Sequence, residues 1–81
     1  MKTDTEYKAT EWEDGRIEVN GEYVEHLSES DIFETEEEFW KWASSESLVC
    51  KYKGDLIVKL RDEDDNYDNY ISDENGYLKP F

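Results

Sequence analysis

The four glycines of this 81-residue chain sit in four polar dipeptides, Asp14-Gly15, Asn20-Gly21, Lys53-Gly54 and Asn75-Gly76. Asn-Gly and Asp-Gly between alternating residues are the strongest short-range hairpin signals, because both central residues of a type I′ turn need positive φ. The chain therefore punctuates itself as hairpins. If Asp14-Gly15 and Asn20-Gly21 are two-residue loops, Trp12 faces Ile17 and Ile17 faces Val24, an apolar line on one face of a three-stranded sheet. The same register places Glu13 opposite Arg16 and Arg16 opposite Glu25. It also places Glu11 opposite Glu18, a like-charge pair that disfavours the sheet and is expected where a surface serves function.

A helix follows. Thr35 with Glu38 three residues later forms a capping box ahead of Phe39, Trp40, Trp42 and Ala43. Phe39, Trp42 and Ala43 share one face and are expected to dock on the sheet, Glu37 supports Lys41 one turn on, and the helix ends near Ser44 and Ser45. The segment SLVCKYKGDLIVKL reads as a further hairpin with a three-residue loop and Gly54 in the left-handed position. In that register Leu48, Cys50, Leu56, Val58 and Leu60 point one way, and Val49, Lys51, Asp55, Ile57 and Lys59 the other. Tyr70 and Ile71 begin another strand that returns through Asp73 to Gly76 towards Tyr77 and Leu78. The expected fold is a single small α+β domain, a mostly antiparallel sheet with one helix packed on it, ordered as three strands, a helix, and two to four strands. Its predicted core draws on Trp12, Ile17, Val19, Val24, Phe39, Trp42, Leu48, Cys50, Leu56, Val58 and Leu60.

Three Trp, six Tyr and three Phe argue for a packed core, since disordered acidic chains are poor in aromatics. No apolar run approaches the roughly 20 residues that cross a bilayer, and MKTDTEYK lacks the apolar segment of a secretory signal, so a cytoplasmic protein is expected. A lone Cys50 excludes an internal disulfide framework and a cysteine zinc site, and a lone His26 leaves little for metal or nucleophilic chemistry. Neither a glycine-rich phosphate loop nor a nucleophile with its base can be placed. The expectation is a protein without catalytic activity or cofactor.

Charge is the loudest feature. The formal net charge is −14, and it is segregated. Residues 17–40 hold nine acids and no Lys or Arg, and residues 62–78 hold seven acids and again no Lys or Arg. Between them lie Lys41, Lys51, Lys53, Lys59 and Arg61 against Glu46 and Asp55. Such a field repels nucleic acid and anionic membranes and attracts cationic proteins.

The densest stretch is RDEDDNYDNYISDEN, residues 61–75. From Asp64 it resembles the calcium loop of the EF-hand, with Asp64, Asn66 and Asp68 at the first, third and fifth positions. It departs where Asn69 replaces the glycine at the sixth position and Asn75 replaces the closing glutamate. Read as a protein surface instead, the stretch offers Asp62, Glu63, Asp64, Asp65 and Asp68 as carboxylates and Tyr67 and Tyr70 as aromatic anchors, joined from the first sheet by Glu11, Glu18, Glu22 and Glu25. Outward residues on one strand, such as Glu11 and Glu13, lie about 6.6 to 6.8 Å apart. Carboxylates in such an array can take the place of phosphates in the basic groove of a nucleic-acid-binding protein, where counterion release supplies much of the affinity.

In size, charge and aromatic content the whole chain resembles the small acidic inhibitors encoded by bacteriophages, the DNA-mimic, anti-restriction and anti-CRISPR proteins. The resemblance implies a host-cell cytoplasmic inhibitor of a defence nuclease and assigns no individual residue. An immunity protein or antitoxin that covers a nuclease toxin is the alternative, distinguished by a hydrophobic anchor. A calcium-binding interaction module is a third.

Overall fold

A computed structural model of the chain describes residues 6–61 and 63–81. Eight strands and one α-helix are present among the described residues: β1 (Ala9–Glu11), β2 (Arg16–Val19), β3 (Glu22–His26), a 3-10 turn (Glu29–Asp31), β4 (Ile32–Phe33), α1 (Glu36–Ala43), β5 (Val49–Tyr52), β6 (Asp55–Arg61), β7 (Tyr67–Ser72) and β8 (Leu78–Pro80). The fold is α+β. β1, β2 and β3 form an antiparallel sheet, and β4 to β8 form a second sheet in sequence order, antiparallel except for the parallel pair β4–β5. That two-residue parallel strand was outside the expected order. A bridge between Lys8 and Tyr77, with Ala9 N–H donating to Gly76 O at 2.7 Å and Leu78 N–H to Tyr7 O at 2.8 Å, joins the two sheets along one side.

The first hairpin differs from its expected register. Trp12 N–H donates to Arg16 O at 2.9 Å, so Glu13, Asp14 and Gly15 make a three-residue loop. Asp14 is the cause in the sequence, since its Oδ1 accepts from Arg16 N–H at 3.0 Å, a local turn that a shorter loop would not make. Glu11 therefore faces Ile17 and Glu18 faces Thr10, so the expected Glu11–Glu18 opposition is corrected. Trp12 is not core: it is 46% exposed, with the Arg16 guanidinium 5.0 Å from its ring centroid. Glu13 lies in the loop, so it is not a strand neighbour of Glu11.

Asn20-Gly21 is the two-residue turn that the sequence indicates, with φ of 53° and 85°. Beyond it a bulge leaves Val24 as an extra residue, so Ile17 faces Glu25 and Arg16 faces His26. Glu25 is thereby brought to the inner side of the sheet. Lys53-Gly54 is also a two-residue turn, at φ of 53° and 89°, rather than part of a three-residue loop. Val49 then pairs with Val58 and Cys50 with Ile57, which moves Cys50 away from the face it was assigned.

The consequence is a central sheet buried on both faces. On one side Val49, Leu56, Val58 and Leu78 pack against Ala9, Ile17 and Val19 of the first sheet, with Val24, Leu48, Leu60 and Tyr70 partly buried around them. On the other, Cys50 and Ile57 pack against Phe39 and Trp42 of α1. The run Leu56-Ile57-Val58 is the signature of a strand covered on both faces rather than an alternating, half-solvated one. The helix begins as expected: Thr35 Oγ1 accepts from Glu38 N–H at 3.2 Å, and Glu38 Oε1 accepts from Thr35 N–H at 3.3 Å. Trp42 fixes its other end by donating its indole N–H to Val49 O at 3.1 Å.

Candidate functional site

The acidic stretch folds as the tip of the β6–β7 hairpin. Arg61 pairs with Tyr67, and the strand β7 starts three residues before the expected Tyr70, placing Asp68 opposite Leu60. Residues 67–72 are strand, so the twelve residues from Asp64 do not form one loop as in an EF-hand. Among the described residues no group of three or more His, Cys, Asp or Glu side chains is arranged to hold a metal ion. Asp62 lies outside the described residues. Glu63, Asp64, Asp65, Tyr67 and Asp68 are all exposed. Arg61 Nε stands 3.7 Å from Asp65 Oδ1, with both side chains mostly in solvent, a contact that contributes little.

Tyr67 and Asn69 also face a cleft of about 530 Å³ between the tip and the C-terminal end of α1, walled by Ala43, Ser45, Glu46, Leu48 and Lys59 and by Glu25 from β3. The bulge at Val24 is what brings Glu25 here. Its Oε1 accepts from Leu48 N–H at 2.8 Å and Ser47 Oγ at 3.2 Å, tying the first sheet to the start of β5. The structure thus unites two residues, Glu25 and Tyr67, that the sequence separates widely.

Lys59 forms the floor, and sequence reasoning assigned it to the outer face of its strand. It is 5% exposed, and its Nζ donates to Trp42 O at 2.9 Å and Ser45 O at 2.6 Å while lying 4.5 Å from the Trp42 ring centroid. A lysine from β6 therefore places a cation at the C-terminus of the helix, sharing the Trp42 carbonyl with the Ser45 N–H and hydroxyl and donating to the Ser45 carbonyl. Burial holds its pKa below the ordinary 10.5, with Cys50 and Glu25 acting in the opposite direction. The one signal in the sequence was its position two residues after Ile57, on a strand whose other face is apolar.

The other predicted residues are distributed elsewhere. Glu11 is paired with Lys51 at 2.9 Å, and Glu18 lies 3.4 Å from Arg16 Nε. Glu22 is exposed at the start of β3. Tyr70 packs edge-on against Tyr7 at 6.3 Å and borders the core between the sheets. Within the basic centre Lys51 is paired with Glu11 and Lys59 with the helix end, whereas Lys41, Lys53 and Arg61 are exposed, Lys53 at 5.3 Å from the Tyr52 ring centroid and Arg61 beside Asp65. No helix among the described residues is long and apolar enough to cross a membrane. No protein-family model matches the chain, and no curated protein or solved structure is significantly similar to it.

Proposed function

We propose that this chain is a non-catalytic inhibitor that occupies the basic groove of a nucleic-acid-binding protein, a nuclease above all, by presenting carboxylates where the groove would hold phosphates. The observation that carries the proposal is the contrast between the two ends of the charge distribution. Lys51 is paired with Glu11 and Lys59 is buried against the helix end, while Glu63, Asp64, Asp65 and Asp68 stand exposed on one hairpin tip beside Tyr67. A carboxylate-rich tip carried on the paired strands β6 and β7 presents negative charge from a defined place in the sheet, and a preorganised surface loses less entropy on binding. Association is steered by the field of the whole molecule and weakens with salt.

The test is capture from bacterial lysate on the immobilised chain, with elution by a salt gradient and by added DNA. A nucleic-acid-binding protein released by both supports the proposal. The variant carrying Glu63→Gln, Asp64→Asn, Asp65→Asn and Asp68→Asn is expected to bind that protein at least tenfold more weakly, with a flatter salt dependence. Unchanged affinity in this variant would remove the tip from the interface. A second reading, an immunity-type inhibitor anchored by apolar contact, is favoured by the exposed ring of Trp40 on α1. It predicts a nuclease that stays bound at high salt and is not displaced by DNA.

A further inference from the structure

Phe39 is the buried hub of a cluster of rings. Its centroid lies 5.2 Å from that of Trp40, 4.8 Å from Tyr52 and 5.1 Å from Phe81. Two of these rings are turned to solvent, Trp40 at 56% and Phe81 at 55% exposure. Trp40 is held in place rather than loosely displayed, because its indole N–H donates to Glu36 Oε2 one turn earlier at 3.2 Å. Glu37, three residues before Trp40, is exposed on the same helix. The surface therefore combines fixed aromatic faces with carboxylates at their edge. Lys53 Nζ stands 5.3 Å from the centroid of the Tyr52 ring in the same cluster.

This combination restricts the occupant. A purely apolar partner would strip water from Glu36 and Glu37 without replacing their hydrogen bonds. A nucleic acid or an anionic membrane meets the repulsion of a net charge of −14. A guanidinium satisfies both parts of the surface at once, stacking its plane on an aromatic face while its N–H groups fork to a carboxylate. We propose that the face formed by Trp40, Phe81, Glu36 and Glu37 docks an arginine-bearing segment of a cationic partner protein. The proposal rests on the partner being cationic, which both functional readings share, and it names a contact separate from the β6–β7 tip.

The test is an NMR titration of the isotope-labelled full chain with a short arginine-rich peptide, its lysine counterpart and an uncharged citrulline analogue, at about 0.15 M salt, where the screening length is about 8 Å. The expected result is a shift of the Trp40 indole resonance, about fivefold tighter binding of the arginine peptide than of the lysine peptide, and no binding of the citrulline analogue. Trp40→Ala is expected to weaken the arginine peptide about fivefold, the size of an exposed cation–π contact. Glu36→Gln with Glu37→Gln, which leaves the rings in place, is expected to weaken it similarly and serves if the alanine variant does not fold. Peptide binding that shifts residues 63–68 and is unaffected by either variant would overturn this face while leaving the cationic-partner reading intact. Binding of neither charged peptide would remove both.

Discussion

Cys50 and Lys59 show how far a single side chain can be read before the fold is known. Cys50 was legible as a small core residue, and its thiol is pushed up to about 12, first by burial and then by the Asp31 carboxylate, with Lys59 pulling the other way. At pH 8 a thiol reagent is therefore expected to label the chain only through unfolding, with labelling rising in parallel with the urea transition. Labelling at the free-thiol rate in the native state would contradict the burial. Lys59 was not legible, because a lysine in an alternating strand is placed outward by default, and only the helix end packed above it supplies acceptors. Lys59→Met keeps the length of the stem but removes the Lys59 donor to the Ser45 carbonyl, while the Trp42 carbonyl keeps the Ser45 N–H and hydroxyl. A loss of about 1 to 3 kcal/mol in urea unfolding is expected, the cost of leaving one part-buried acceptor without its donor.

At the scale of elements, the positions of the turns were legible and their lengths were not. Asn20-Gly21 read correctly because both residues take positive φ readily, whereas Asp14 recruits a third residue through its own side chain and Lys53 adopts φ 53° without being a residue that favours it. Each miscount of one residue exchanged the two faces of a strand, which is why Trp12 and Cys50 were misplaced. Gly15→Ala is expected to destabilise the fold by more than about 1 kcal/mol and to cost more than Gly21→Ala. A Cβ at Gly15 would lie 2.7 Å from Leu27 O, while Gly21 has open space around it, although both take positive φ. Equal urea midpoints for the two variants would contradict the close approach of Leu27. The helix cap was legible in full, because Thr35 and Glu38 are local to each other. The Glu38 carboxylate is held below its ordinary 4.5 chiefly by the backbone N–H groups of Glu34 and Thr35. A lowered carboxylate value means that its stabilisation is complete above 4.5 and is lost as the pH falls through the lowered value. The stability margin of the wild type over Glu38→Gln is therefore expected to narrow on acidification below that point, measured by urea unfolding at a series of pH values.

For the whole molecule, the acidic tip was legible because its carboxylates are consecutive. The cleft was not, since it needs residues 25 and 67 to meet through a bulge and a hairpin of unforeseen register. A net charge of −14 also acts on the chain itself. Added sodium chloride is expected to raise the thermal midpoint by screening self-repulsion, and it would loosen the cationic partner proposed above. A midpoint that falls with salt would mean that the internal pairs, such as Lys51 with Glu11, outweigh the repulsion. The bridge between Lys8 and Tyr77 sets a further condition, on the order of events in time. Because the backbone around Tyr7 is held by the backbone from Gly76 to Leu78, a chain emerging from the ribosome has no partner for that segment at the sheet junction until residues 76–78 have been made. The hairpins can form locally as they appear, whereas the seam between the sheets joins residues far apart in sequence and is expected to close after them.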